Sequence, residues 1–304
     1  MIDAVLLIAF GGPRAPSEIR PFLANVTRGR GIPPERLVEV AHHYEGMPGG
    51  RSPLNDLTLA QAQALAGALA RRGAPLPVHV GMRNWHPYLH ETLGELAERG
   101  VRRCLGIIMS SLRCEASWDR YRQDVAEALA RTSGAPEVVF APPLTTRPGF
   151  VAAVADRVRD VLRGLPAGGR RWTPLVFTAH SIPVAMAEAS PYVEDFTAVA
   201  RAVASRLRHA RWSLAYQSRS GRPEDPWLEP DVNTVLESLA ADGERHAVVV
   251  PAGFVCDHVE VLHDLDVEAV ARARARGVTL HRAATVGDHP AFIEGIADLV
   301  LAAR

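Results

Sequence analysis

The stretch Leu6-Leu-Ile-Ala-Phe-Gly-Gly-Pro13 returns, in altered letters, as Val176-Phe-Thr-Ala-His-Ser-Ile-Pro183. Each is a short apolar run, then a polar or glycine turn, then proline. A short apolar run closed by turn residues reads as a strand buried on both faces. The echo predicts two similar α/β halves with a seam near residues 145 to 172. In open α/β sheets, ligands bind beyond the carboxyl ends of the strands. Phe10 and His180 hold equivalent places in the two runs, so they are expected at equivalent strand tips facing one cleft.

Outward from these two runs, β-rich and helical patterns alternate. In the first half, strands are predicted over Ala4 to Phe10, Val78 to Met82, Arg103 to Met109 and Val138 to Ala141. The helical spacings between and after them cover Leu57 to Arg72, Tyr88 to Arg99, Ser117 to Arg131 and, past the last of these strands, Phe150 to Leu162. After the turn-rich stretch Arg163 to Trp172 the alternation restarts. Strands are predicted over Leu175 to Ala179, Trp212 to Tyr216 and His246 to Val250. Helices are predicted over Val193 to Leu207, Asp231 to Ala241, Glu260 to Arg276 and Pro290 to Ala303. Alternating βα units with near-continuous apolar strands predict parallel sheets covered by helices on both faces.

Composition narrows the class. Apolar residues make up 47% and charged residues 22% of 304, which suits a globular chain rather than a disordered one. The formal net charge is zero, so no overall field favours nucleic acid or an anionic membrane. The apolar runs are too short to span a bilayer. The start, Met-Ile-Asp-Ala, carries no basic segment before an apolar one, so no signal peptide is expected. Three scattered cysteines, Cys104, Cys114 and Cys256, suit reduced thiols in the cytoplasm and offer no cysteine set for zinc or iron–sulfur.

Five features could carry chemistry. His180 ends an apolar strand, where neutral imidazole could bind a borderline metal or accept a proton. Glu260, Asp264 and Glu268 stand four apart. On an α-helix each step drifts about 40° and climbs about 6 Å, so the three carboxylates would form one ridge. Such a ridge is either a solvated acidic face or a path for hydrated cations. Leu262, Leu265 and Val267 mark the opposite side as buried. His86 and His90 have the i, i+4 spacing of a zinc pair but lack a glutamate after the first histidine. Spacing alone leaves the role of His42-His43, just before Tyr44, open. Arg28 and Arg30 flank Gly29 in a loop, where guanidinium and backbone N–H groups suit an anion. Phe10-Gly-Gly-Pro13 is not a dinucleotide fingerprint, and no phosphate-loop motif occurs.

Taken in order, the motifs resemble the ferrochelatases from end to end. They are Leu6 to Pro13, Thr27-Arg-Gly-Arg30, Gly49-Gly-Arg-Ser-Pro-Leu54, Met82-Arg-Asn-Trp-His-Pro-Tyr88 and Phe177-Thr-Ala-His-Ser-Ile-Pro183. The series continues with Tyr216-Gln-Ser-Arg-Ser-Gly221, Pro226-Trp-Leu-Glu-Pro-Asp231 and Gly253-Phe-Val-Cys-Asp-His-Val-Glu-Val-Leu-His-Asp264. The resemblance implies the chelatase fold: two Rossmann-like, doubly wound, parallel-sheet halves with a porphyrin cleft between them. The N-terminal half is expected over 1–148, with the helix at 289–304 packing back on it. The C-terminal half, 149–288, carries His180 and Glu260.

The resemblance further implies that His180 and Glu260 face the metal, with Asp264 and Glu268 on an acidic line leading away. Ser52 and Tyr121 fall at porphyrin-contacting positions, and Tyr44 joins them as a substrate-binding candidate. Phe10 stands where some relatives place a tyrosine ligand, so no oxygen is available there. Leu112 and Arg113 depart from the tyrosines or serines of many relatives. A Thr-Arg-Gly-Arg loop in a compact chain resembles bacterial enzymes that metallate coproporphyrin III, whose four propionates could meet Arg28, Arg30 and Arg113.

The expected activity is thus that of a lyase inserting Fe2+ into coproporphyrin III in haem biosynthesis. Protoporphyrin IX is the first alternative substrate. A cobalt or nickel tetrapyrrole chelatase, or a haem carrier without chemistry, ranks below it. Iron enters as substrate, and no prosthetic group or iron–sulfur cluster is expected. The expected state is a cytoplasmic monomer without membrane insertion or nucleic-acid partner, and a haem-pathway enzyme could receive its product.

Overall fold

The computed structural model describes residues 1–29, 31, 33–166, 169–221 and 224–304. The chain divides into two compact units. One comprises Met1–Met109, Trp118–Pro142 and Ile296–Arg304; the other comprises Ser110–Ser117 and Pro143–Gly295. The last helix, Pro290–Ala302, therefore starts in one unit and ends in the other.

The first unit holds a four-stranded sheet of β1 (Ala4–Ala9), β2 (Val78–Met82), β3 (Arg103–Ile108) and β4 (Glu137–Phe140). Every pairing is parallel, in the order β2-β1-β3-β4. All six residues of β1 are buried, as its unbroken apolar run requires of a strand covered on both faces. Burying Leu6, Leu7 and Ile8 stabilises the unit by about 1.5–3 kcal/mol each. Leu6 and Ile8 pack with Leu89, Leu93 and Leu96 of the helix Leu89–Glu98. Helix Leu54–Arg71 lies against β1 and β2.

The second unit repeats the plan with β5 (Leu175–His180), β6 (Trp212–Gln217), β7 (His246–Val250) and β8 (Thr279–Arg282). Its order is β6-β5-β7-β8, again all parallel. β5 thus occupies in its sheet the place that β1 occupies in the first, as the repeated motif predicts. One helical layer meets the sheet through Leu236, Leu265, Ala269 and Ala273. Helices Pro148–Gly164 and Tyr192–Leu207 pack together and contact β7 and β6 respectively. In each order the connections leave the first strand in opposite directions, which makes a topological switch point beside β1 and beside β5.

Three expectations need correction. The helix read as one piece from Glu260 to Arg276 is three: an α-turn at Val259–Leu262, a π-segment at Asp264–Ala269 and an α-turn at Val270–Ala275. The Glu268 N–H reaches back five residues to the His263 carbonyl at 3.0 Å. A wider turn breaks the four-residue rhythm on which a straight carboxylate ridge depends. Leu265 is buried, but Val267 is 56% exposed, so the supposed buried side does not extend that far. Finally, His86 precedes the helix that carries His90, so helical i, i+4 geometry does not relate them. His86 instead meets Glu91, and His90 stacks on Tyr88. Helix Pro34–Glu45 and edge strand β8 lie outside the predicted alternation. β8 is short and carries only one strongly apolar residue, Leu280, so periodicity does not mark it.

Candidate functional site

His180 is the last residue of β5, at the switch point of the second sheet. Glu260 follows β7 through the turn Pro251 to His258. That turn lies tight against β5. The Gly253 N–H donates to the Thr178 carbonyl at 3.0 Å, and a Cβ on Gly253 would sit 2.6 Å from that of Ala179. Only glycine lets the backbone come this close. The result is a His180 Nε2 to Glu260 Oε1 distance of 3.3 Å.

The surroundings fix both partners. His180 Nδ1 bonds to the Ser181 carbonyl. A carbonyl can only accept, so Nδ1 carries a proton and Nε2 is the atom turned to Glu260. The Tyr192 hydroxyl donates to the His180 carbonyl at 2.8 Å, and the Ser181 N–H donates to the Gln217 carbonyl at 2.7 Å. Gln217 lies opposite His180 in the β5–β6 register, and its amide donates to the Glu260 backbone carbonyl. His258 Nδ1 accepts from the Glu260 N–H at 3.3 Å. The Ser218 hydroxyl donates to Asp264.

Burial disfavours an imidazolium at His180. The charge and hydrogen bond of Glu260, with the Ser181 carbonyl, outweigh it and push the group up to about 9. Burial likewise works against the Glu260 carboxylate, but His180 and then His258 hold it down at about 2. Asp264 is pushed up to about 6 by burial and by Glu260 and Glu268, against the Ser218 hydrogen bond. Three neighbouring groups, one at the tip of β5 and two after β7, thus have strongly displaced protonation equilibria, which marks a candidate functional site. Imidazole and carboxylate donors suit a divalent iron ion.

The other predicted residues separate into places. Asp264 joins His180 and Glu260, while Glu268 is exposed and its carboxylate lies 3.8 Å from His263 Nδ1. In the first unit, Phe10 sits just beyond β1 and is 37% exposed. Phe22 meets Phe10, Tyr44 and Trp85 edge to face, so Tyr44 is a buried member of an aromatic cluster. Ser52 is buried beside Gly12 and is tied to the Pro13 carbonyl through its N–H. Tyr121 is buried beneath the Arg83 guanidinium, 4.3 Å from the ring centroid. Arg83 also approaches Phe10 and pairs with Asp124. Arg28 is exposed in the turn after helix Ile19–Val26, and Arg30 lies outside the described residues.

Arg113 needs correction as a free anion-binding side chain. Its Nε and Nη2 donate to the two oxygens of Asp195 at 2.8 and 2.7 Å. Asp195 is buried on the helix that also carries Tyr192, so the fork is spent on bracing that helix. Sequence reading passed over Arg83, Tyr192 and Gln217. Gln217 had a usable signal, because it ends the apolar strand in the quoted Tyr216 to Gly221 motif. Arg83 had the same kind of signal, since it follows a predicted strand in the quoted Met82 to Tyr88 motif, whereas Tyr192 had none, since only packing brings it to His180.

A ferrochelatase family model matches residues 2–304. The chain belongs to the ferrochelatase family. It is 44% identical over 318 residues to the coproporphyrin III ferrochelatase of Streptomyces griseus subsp. griseus, covering 98% of this chain and 84% of that one. It is 43% identical over 302 residues to the coproporphyrin III ferrochelatase of Mycolicibacterium smegmatis, covering 98% and 88%. Among solved structures it resembles SirB from Bacillus subtilis with Fe3+ at a TM-score of 0.59. That likeness has 13% identity and covers 99% of this chain and 95% of that one, so it bears on fold alone. The ferrochelatase therefore has the chelatase fold, and among its described residues no helix is long and apolar enough to cross a membrane.

Proposed function

We propose that this ferrochelatase inserts Fe2+ into coproporphyrin III to give coprohaem. The observation that carries the reading is the His180–Glu260 pair, 3.3 Å apart at the switch point of the second sheet. The relatives at 43 to 44% identity, named for coproporphyrin III, support the choice of ring.

Metallation replaces two pyrrole protons by one Fe2+ and strips the ion of water. His180 takes the two pyrrole protons in turn, passing the first to water before it accepts the second. Its Nδ1 proton is committed to Ser181, so Nε2 is the working atom. At neutral pH Nε2 of the free protein is itself protonated, because Glu260 stabilises the imidazolium. A cation reaching Glu260 weakens that stabilisation and releases the proton, which empties Nε2 for its task. Glu260 is the first carboxylate to hold the iron. Asp264, held by Ser218, and Glu268 extend the acidic set, though along a π-turn rather than a straight ridge. In the first unit Phe10, Arg28, Tyr44 and Ser52 are the ring-contact candidates, with Arg30 beside them in sequence. Tyr121 would act from beneath Arg83. A cytoplasmic monomer without a cluster, handing its product to a haem-pathway enzyme, completes the proposal.

The test mixes purified protein with ferrous iron and coproporphyrin III without oxygen and follows loss of porphyrin fluorescence. Metallation well above the uncatalysed rate is expected, and His180→Ala should lower it by about 100-fold or more. Binding without metallation would overturn the reading in favour of a carrier. Faster turnover of protoporphyrin IX would overturn the coproporphyrin assignment.

A further inference from the structure

Arg282 ends the edge strand β8 and is largely buried, with 16% of its side chain exposed. A buried guanidinium left alone is costly, so its partners decide what it is for. Nε donates to Asp266 Oδ1 at 2.6 Å, while Nη1 and Nη2 reach the two oxygens of Asp257 at 3.3 Å. The Thr285 hydroxyl, three residues on, donates to Asp257 at 2.8 Å. The Gly287 N–H then donates to the Val255 carbonyl at 3.0 Å.

The two aspartates bracket the chemistry. Asp257 lies before the α-turn that carries Glu260, and Asp266 lies in the π-segment that carries Asp264. Between them the backbone changes from α to π, a rare turn that recurs at functional sites. On the opposite side, Gln217 and Ser218 hold the Glu260 backbone and the Asp264 side chain.

We propose that Arg282 is a positioning residue: one guanidinium spans the Asp257–Asp266 segment and sets Glu260 and Asp264 for the incoming divalent cation. The inference rests on the proposed iron-handling role of Glu260. Arg282 touches neither Glu260 nor His180 and acts through the aspartates. Its fork geometry is what allows two carboxylates to be held at once, so lysine is a poor replacement.

The experiment compares wild type with Arg282→Gln, Arg282→Lys, Asp266→Asn and Arg282→Gln/Asp266→Asn. Steady-state metallation gives KM for Fe2+, KM for the porphyrin and kcat, and amide hydrogen exchange is followed on the free proteins. Arg282→Gln should raise KM for Fe2+ by about tenfold, with the porphyrin KM unchanged. Arg282→Lys should recover only part of the loss, and the double variant should be no worse than Arg282→Gln alone. Exchange over residues 257–268 should speed up by about tenfold while the rest of the sheet stays protected. If Arg282→Gln leaves KM for Fe2+ unchanged, or raises both KM values together, the positioning role is overturned. If Arg282→Gln fails to fold, Arg282→Lys and Asp266→Asn carry the same comparison. A wild type that does not metallate overturns the proposed function instead, and unchanged exchange in Arg282→Gln would then still overturn the clamp.

Discussion

At the residue scale, His180 shows how one neighbour resets a side chain. Burial alone would make its imidazole a weaker base, yet Glu260 at 3.3 Å pushes it up to about 9. In the free protein, an NMR titration of His180 should therefore find a midpoint near 9. In Glu260→Gln the midpoint should fall toward the ordinary value of 6.5. A midpoint that does not move would mean the pair is not formed. The kinetic counterpart is a kcat/KM for iron that rises with pH, since proton and metal compete at this site and kcat/KM reports the free enzyme. Asp264, displaced upward to about 6, adds to the rise as it acquires charge.

At the element scale, the turn after β7 decides whether Glu260 can reach His180. Gly253→Ala places a Cβ 2.6 Å from Ala179 Cβ and 2.7 Å from its Cα, which no rotamer change can relieve. The expected cost is about 1–3 kcal/mol of stability, measured by urea unfolding, with metallation falling as well. A fully active, equally stable alanine variant would show that the turn yields. Tyr192→Phe probes the bracing helix from the other side, because it removes the 2.8 Å bond to the His180 carbonyl. Its expected cost is about 1 kcal/mol, together with slower metallation. The π-segment is the element that periodicity misread. Apolar residues mark which side of a helix is buried, but they do not reveal where a wider turn intrudes. Glu268 is exposed, whereas Asp264 is tied to Ser218, so the carboxylates do not form a uniform row.

At the scale of the whole molecule, the ion pair links folding to pH. His180 rises from 6.5 to about 9 on folding, so its contribution is full below 6.5 and is lost as pH rises through 9. Glu260 falls from 4.5 to about 2, so its contribution is full above 4.5 and is lost as pH falls through 2. Both shifts report one interaction, counted once, which is greatest between about pH 4.5 and 6.5. The difference in Tm between wild type and Glu260→Gln should peak in that window and shrink toward pH 9. A difference that is flat with pH would contradict the pair.

The apolar runs and their echo determined the plan of this ferrochelatase by themselves. Continuous burial over Ala4–Ala9 and over residues 175–179 fits central parallel strands, and the shared motif places Phe10 and His180 at equivalent tips. The types of residue at the site were equally legible, because His180 and Glu260 stand in motifs that resemble a family. Tertiary structure alone decided what those residues meet. The order β6-β5-β7-β8 puts Gln217 beside His180 and brings Glu260 round from β7. Packing gave Arg113 to Asp195, and Arg282 to two aspartates. Local pattern encodes which face of an element is buried, whereas an ion pair or a hydrogen bond between distant segments depends on register and burial that exist only after the chain has folded.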